Sequence, residues 1–344
     1  MSGWNNIIGH DWAIQLLDGA LKNERIGHAY LITGPEQIGK TLLARTFAQG
    51  LNCEETKEKR PCGQCRTCLL IAADHHPDVR FLQPEISGRG KLAIKIDQIR
   101  ALNSELNLSP YEARFRVAII KRFDTANVNA ANAFLKTLEE PPASVVLILT
   151  AFDSNTLLPT IASRCQTIGL RPLHTRQIEE NLMTCCGVGA DDALLLSHLA
   201  DGRLGWAVEA SKNGEVLLER QHQMSVLREA LDGNRVRRFA LADKLTRKPE
   251  MLPSLLRIWL SWWHDLVLLA FRNDTYGPPL PISNIDLRQQ LESLVHSWRK
   301  DLILTGFKQT DLALWQLERN ANSRLVLENL FLKYPLPEKV MSYE

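Results

Sequence analysis

A phosphate-binding loop pattern lies near the start of the chain, at residues 34–41, which read Gly-Pro-Glu-Gln-Ile-Gly-Lys-Thr. The glycines of this Walker A spacing let backbone N–H groups and the start of the next helix face an anion. In such a loop, Lys40 reaches the outer phosphates of a nucleotide and Thr41 binds magnesium. An apolar run precedes the loop and a helical pattern follows it, as the motif requires. We therefore predict a site for ATP or ADP formed by Gly34, Gly39, Lys40 and Thr41.

The strand expected to carry the acids for nucleotide hydrolysis ends instead in two basic residues. Hydrolysis in P-loop proteins uses an Asp that secures magnesium and a second group that positions the attacking water. Here the apolar run 117–120 is followed by Lys121 and Arg122, and Asp124 is expected to point away from the loop. The sequence thus predicts that nucleotide binds while turnover is absent or very slow. Two readings of Lys121 and Arg122 stay open: contact with phosphate, or solvated charges at a strand end.

Four of the seven cysteines are close together, at Cys53, Cys62, Cys65 and Cys68. Thiolates separated by two residues can meet one zinc ion, and four of them complete a tetrahedral structural site with no open position for catalysis. The polar segment between the first and second cysteine is typical of a metal-clipped insertion. We predict a structural Zn²⁺ site in a module spanning about residues 53–68. The alternatives are four ordinary thiols, or replacement of one ligand by a histidine of the pair at 75–76.

The bulk composition is that of an ordinary globular protein. The chain has 344 residues, 45% apolar and 23% charged, with a net charge of +2, so any contact with nucleic acid has to be local. No apolar stretch reaches the roughly 18 residues of a membrane span, and the first residues do not resemble a signal peptide. An odd number of cysteines favours metal ligation over disulfides. We expect a cytoplasmic protein.

Strand and helix patterns divide the chain into three parts. Residues 1–170 alternate short β-branched runs with helical segments, which predicts a parallel sheet covered by helices on both faces. Residues 171–212 read as three short helices that form a small lid. Residues 213–344 show only helical patterns and hold most of the tryptophans, which are expected in the core or at an oligomer interface. The predicted fold class is α/β followed by an all-α domain.

Several segments together resemble one family, the bacterial DNA polymerase III clamp loader, an AAA+ assembly. The resemblance covers roughly residues 5–210. It is carried by the Walker A loop, the four-cysteine insert and four further segments: Ile8-Gly9-His10, His28-Ala29-Tyr30-Leu31, the run Ala131-Asn132-Ala133-Phe134-Leu135-Lys136-Thr137-Leu138-Glu139-Glu140-Pro141-Pro142, and Ser163-Arg164-Cys165. It implies an AAA+ RecA-like sheet domain with a zinc insert, a helical lid and a C-terminal helical collar.

Within that family, the chain resembles the delta-prime subunit more than the gamma/tau motor. It departs from the motor pattern at Lys121 and Arg122, and again at Gly205, where the motor has its sensor-2 arginine. The resemblance implies a largely non-hydrolysing stator that lends Arg164, in trans, to a neighbouring ATPase as an arginine finger. The implied partners are the gamma/tau and delta subunits, with the sliding clamp and primer-template DNA reached through the assembled complex. Thr150, at the sensor-1 position, is expected to be only a buried hydroxyl.

Two other classes of protein stay possible from the residues alone. The first is an active clamp-loader ATPase of the gamma/tau type, against which the Lys121-Arg122 pair argues. The second is a zinc-dependent nucleic-acid-binding module, against which the Walker A loop and the low net charge argue. Arg100, Arg114 and Arg116 are candidates for contact with DNA phosphates, although isolated charges of this kind are usually solvated.

Overall fold

The computed structural model describes residues 3–86, 92–272, 281–319 and 321–335. It divides into two compact units. The first comprises Met1–Asn181 and Gly202–Trp206, and the second comprises Leu182–Asp201 and Ala207–Glu344. The three domains inferred from the sequence, with boundaries at 170/171 and 212/213, stay predictions.

The first unit contains the strands of the described chain. They are β1 (Ala29–Thr33), β2 (Val79–Leu82), β3 (Glu85–Ile86), β4 (Leu92–Ala93), β5 (Arg116–Ile120), β6 (Val145–Ala151) and β7 (Gln166–Gly169). Five of them form a parallel sheet in the order β2-β5-β6-β1-β7, while β3 and β4 make a separate antiparallel pair. The expected parallel α/β sheet is confirmed.

Helices cover both faces of this sheet, which is why its strands are apolar on both sides. The helices that begin within residues 1–181 of this unit are α1 (Asp11–Lys22), α2 (Lys40–Asn52), α3 (Arg66–Ala72), α4 (Ile96–Leu106), α5 (Val128–Glu139), α6 (Pro159–Ala162) and α7 (Thr175–Cys186). Side chains alternate along β6, so Val146 and Ile148 pack with α1 and α2, while Leu147 and Leu149 pack with α4 and α5. The sheet therefore lies between two apolar clusters.

The helical region contains α8 (Ala190–Leu199), α9 (Leu204–Lys212), α10 (Glu215–Asp232), α11 (Arg235–Leu245), α12 (Leu252–Ala270), α13 (Arg288–Ser297), α14 (Lys300–Glu318) and α15 (Ser323–Lys333). The core of the second unit is built around Trp259 and Trp263, both fully buried on α12. Trp263 fits because position 306 is a glycine: a Cβ there would lie 2.3 Å from the indole ring. Trp315, in contrast, is 51% exposed on α14. The expectation of core tryptophans holds for α12 and not for this residue.

Candidate functional site

The Walker A loop joins β1 directly to α2, as its sequence predicts. The backbone enters the left-handed region at Gly34 (φ 143°), Gln37 (φ 59°) and Gly39 (φ 111°). Gly34 is also required for space, because a Cβ at this position would lie 2.7 Å from the carbonyl oxygen of Leu170. The two loop glycines thus permit a turn that ordinary residues rarely adopt, and the start of α2 follows at Lys40.

Lys40 folds back onto its own loop. Its Nζ donates hydrogen bonds to the carbonyl oxygens of Gly34 and Pro35, at 2.6 Å each. Thr41 is half-buried in the first turn of α2. All four residues predicted to bind nucleotide therefore lie in one loop and helix start.

Two residues distant in sequence support this loop from opposite sides. His10 Nε2 lies 3.2 Å from the carbonyl oxygen of Ile38, and burial lowers the pKa of this imidazole, which favours its neutral form. The backbone N–H of Gly205 donates to the carbonyl oxygen of Gln37 at 2.9 Å. A Cβ at position 205 would lie 2.5 Å from that oxygen, so the close approach depends on glycine. Gln37 of the loop thus contacts Gly205, the position at which the gamma/tau pattern is expected to have its sensor-2 arginine.

The two basic residues after β5 have different partners, and only Arg122 contacts the Walker A loop among the contacts of the described residues. Lys121 Nζ lies 5.6 Å from the centroid of the Phe81 ring. Arg122 adopts a left-handed backbone conformation (φ 51°), and its Nη2 lies 3.4 Å from Glu36 Oε1 of the Walker A loop. Its backbone N–H donates to Thr150 Oγ1 at 3.0 Å, so Thr150 is the buried hydroxyl that the sequence favours. Arg122 is thereby joined to a loop carboxylate in a partly exposed ion pair.

The carboxyl group of Asp124, which follows the basic pair, is buried. It lies on the turn after Arg122, where burial raises the pKa of its carboxyl group against the opposing charges of Arg122 and Lys40. Its Oδ1 is buried without a hydrogen-bond partner among the described residues. Burial therefore favours the neutral form of this carboxyl group, and its pointing away from the loop stays a prediction.

The four cysteines converge into one cluster. The Sγ atoms of Cys53, Cys62, Cys65 and Cys68 all lie within 4.8 Å of one another, and neither nearby histidine belongs to the group found in the described chain. Four thiolates at about 2.3 Å from a tetrahedral ion would be about 3.8 Å apart, and the Sγ atoms of Cys62 and Cys68 are 4.0 Å apart. The cluster can therefore hold a metal ion with only a small contraction.

Backbone N–H groups near the cluster favour the thiolate form of Cys62. The N–H groups of Gln64 and Cys65 donate to Cys62 Sγ at 3.4 and 3.2 Å. Although burial opposes ionisation, these donors lower the pKa of the Cys62 thiol to about 7. Gly63, with φ 71°, supplies the tight turn that brings those N–H groups to the sulfur. Burial raises the pKa of Cys68, which is the effect that a bound cation would oppose.

Polar contacts join the start of α3 to two other segments of the first unit. Glu54 Oε1 accepts hydrogen bonds from Thr67 N and Thr67 Oγ1, at 3.1 and 2.6 Å. Arg66 Nη1 lies 3.0 Å from Glu112 Oε2. Such contacts tie the start of α3 both to the residue after Cys53 and to the segment before β5. The position of the cluster is compatible with a structural role.

Arg164 lies at the surface, after the short helix α6. Its guanidinium makes an ion pair with Glu139, with Nη2 2.7 Å from Oε1, and donates from Nη1 to the carbonyl oxygen of Thr160 at 2.9 Å. The Arg164 side chain is 36% exposed and the Glu139 side chain 48% exposed. The guanidinium is thus held in place while still facing solvent.

The three arginines considered for DNA contact have different environments. Arg116 is bound to Asp78 and to the carbonyl oxygens of Glu105 and Ser109, and Arg114 Nη2 donates to the carbonyl oxygen of Cys53 at 2.8 Å. Both side chains therefore have structural partners. Arg100 is exposed, with Nη1 3.7 Å from Asp97 Oδ1.

The chain is similar in sequence to known proteins. Residues 9–174 match the model of the family described as DNA polymerase III, delta subunit. These residues form a domain of that family. The resemblance to delta-prime subunits of the bacterial DNA polymerase III clamp loader, inferred from the motifs, is confirmed.

Individual relatives carry names from the same polymerase. The chain is 36% identical over 202 residues to the delta-prime subunit of Bacillus subtilis, covering 59% of each chain. It is 41% identical over 138 residues to the delta-prime subunit of Pseudomonas aeruginosa, covering 40% of this chain and 41% of the relative. It is 30% identical over 293 residues to the tau subunit of Salmonella typhimurium, covering 79% of this chain and 45% of the relative. The matches thus span less than two thirds of the relatives' lengths.

Solved structures with a similar arrangement are more distant in sequence. A DNA polymerase III gamma subunit-related protein from Thermotoga maritima covers 92% of this chain and 97% of its own, with 20% identity and a TM-score of 0.45. The RuvB Holliday junction branch migration motor from the same organism covers 70% of this chain and 83% of its own, with 14% identity and a TM-score of 0.46.

The length and hydropathy of the helices bear on membrane insertion. Among the described residues, no helix combines the length and the apolar character that a membrane crossing requires.

Proposed function

We propose that this chain is a delta-prime-like stator of the DNA polymerase III clamp loader. In this role it hydrolyses little or no ATP and supplies Arg164 to the nucleotide site of a neighbouring gamma/tau subunit. The delta subunit is the other direct partner, and the sliding clamp and primer-template DNA are reached through the assembled complex. The observation that carries the proposal is the pair Lys121 and Arg122, which stands where a motor needs acids.

The charges around the loop support low intrinsic turnover. Hydrolysis needs a carboxylate that holds magnesium near the phosphates, whereas Arg122 brings a second cation to the loop beside Lys40 and pairs with Glu36. Extra positive charge is compatible with holding a triphosphate or diphosphate, so we propose that ATP or ADP binds at Gly34, Gly39, Lys40 and Thr41 without rapid cleavage. Asp124 is buried with a raised pKa, which makes it a poor magnesium ligand.

The surface position of Arg164 supports action in trans. A planar, permanently charged guanidinium suits stabilisation of charge on a transferring phosphate, and an arginine finger contributes about 10³- to 10⁵-fold to rate in the proteins where it has been measured. Arg164 is held by Glu139 and Thr160 at a partly exposed site. A structural Zn²⁺ at the four cysteines completes the proposed subunit.

Reconstitution with gamma/tau and delta tests the proposal. The protein alone is expected to show negligible ATPase activity, and DNA-stimulated ATPase activity of the assembly is expected to fall at least tenfold with Arg164→Ala. Arg176→Ala is a matched control, because Arg176 is also a surface arginine paired with a glutamate, Glu180, at 2.8 Å. Rapid hydrolysis by the isolated chain would favour the gamma/tau type instead, and an undiminished rate with Arg164→Ala would remove the finger.

A further inference from the structure

Two motifs that lie 25 residues apart in sequence meet in the structure. Glu139 belongs to the run 131–142 and is the last residue of α5, while Arg164 belongs to the Ser-Arg-Cys triplet after α6. Their side chains form an ion pair of 2.7 Å, and the second contact of Arg164, to the carbonyl oxygen of Thr160, comes from its own helix. Glu139 is therefore the contact that ties this guanidinium to a different element.

The position of Glu139 is electrostatically unfavourable for helix α5 itself. The carboxyl end of a helix carries partial negative charge, so acidic residues there are disfavoured and basic residues are favoured. Here Glu139 and the capping residue Glu140 are both acidic. Arg164 compensates this charge where it pairs with Glu139, so the helix end, the carboxylate and the guanidinium form one local arrangement.

We propose that Glu139 is a positioning residue that orients the Arg164 guanidinium toward the nucleotide of an adjacent subunit. The inference rests on the proposed function of Arg164. An arginine side chain has many rotamers, and contacts to two separate elements leave few of them accessible. A guanidinium carries five N–H donors, so one bond to Glu139 and one to Thr160 are compatible with bidentate binding of a phosphate. Glu139 acts in this scheme through geometry and does not itself touch nucleotide.

The experiment uses the reconstituted assembly with gamma/tau and delta, and measures kcat and KM for ATP in the presence of primed DNA. Glu139→Ala is expected to lower kcat about two- to fivefold, the range of a partly exposed ion pair, with KM unchanged. Glu139→Gln keeps an acceptor oxygen, so its kcat is expected to lie between that of the parent and that of Glu139→Ala. Glu140→Ala is the matched control, since it removes the neighbouring exposed acid and leaves the pair intact.

A double variant separates positioning from a general structural effect. In the Arg164→Ala background, Glu139→Ala is expected to cause no further loss, because the residue that it orients is already absent. A further loss in that background, or a Glu139→Ala rate equal to that of Glu140→Ala while Arg164→Ala is impaired, would overturn the inference and leave the proposed function standing. An unimpaired Arg164→Ala assembly would overturn both.

Discussion

Replacement of Asp78 is expected to be far more damaging than replacement of a nearby surface aspartate. Asp78 is fully buried next to β2 and accepts hydrogen bonds from the backbone N–H groups of Tyr111, Glu112 and Ala113, at 2.7, 2.9 and 3.0 Å. Arg116 Nη2 lies 3.1 Å from its Oδ1. The carboxylate therefore fastens the segment before β5 to the strand beside it.

The magnitude follows from these four partners. Removing one member of a buried ion pair costs about 3–5 kcal/mol, because the other charge stays buried without compensation. Asp78→Ala leaves Arg116 and three partly buried N–H donors without the carboxylate, so we expect a loss of about 3–5 kcal/mol in the free energy of unfolding of the first unit. Asp74→Asn is the control: Asp74 pairs with Arg45 at 2.7 Å but is partly exposed, Asn tolerates the left-handed backbone at this position (φ 60°), and loss of the pair should cost about 0.2–1 kcal/mol.

Hydrogen exchange at the backbone amides of β5 during urea titration measures the relevant unfolding step without interference from the second unit. Equal losses for Asp78→Ala and Asp74→Asn would refute the reasoning. The pH dependence gives a second check. Burial opposes ionisation of Asp78, yet its N–H and Arg116 partners lower the pKa of this carboxyl below the ordinary value of 3.8. Its stabilisation is therefore complete above about pH 4 and is lost as pH falls through the lowered pKa.

Three further outcomes are expected. A four-cysteine site holds about one Zn²⁺ per chain. Cys62→Ser should lower the zinc content measured by elemental analysis and should lower the melting temperature; full zinc content in the variant would contradict the site. Gly205→Ala should destabilise the first unit by about 1–3 kcal/mol in urea denaturation, because its Cβ would crowd Gln37, whereas Gly19→Ala, in open space on α1, should stabilise it by about 0.5–1 kcal/mol; equal effects would disprove the crowding. The melting temperature of Asp124→Asn should rise relative to that of the parent as pH increases from about 4 to about 7, because the raised pKa of Asp124 in the folded state makes its charged form unfavourable. A melting-temperature difference that does not change with pH would show that burial does not raise the pKa of this carboxyl group.

Local patterns in the sequence determined much of the site. The Walker A loop required only a strand before it and a helix after it, and both are short-range properties of the chain. The cysteine spacing likewise indicated the cluster, because Cys62, Cys65 and Cys68, with two residues between neighbours, can reach one ion locally, whereas Cys53 is brought to them by the end of α2. The sequence also indicated that Lys121 and Arg122 follow the end of β5, because the apolar run itself defines where the strand ends.

Tertiary structure decided which distant side chains meet. The Glu139–Arg164 pair depends on how α5 and α6 pack against one apolar cluster, and the approach of Gly205 to Gln37 joins residues far apart in the chain. The same packing turned Arg116 into a buried partner of Asp78. Periodicity assigns a residue to a face of its own element, but the partner of that face is set by long-range packing of apolar surfaces, which no local spacing encodes.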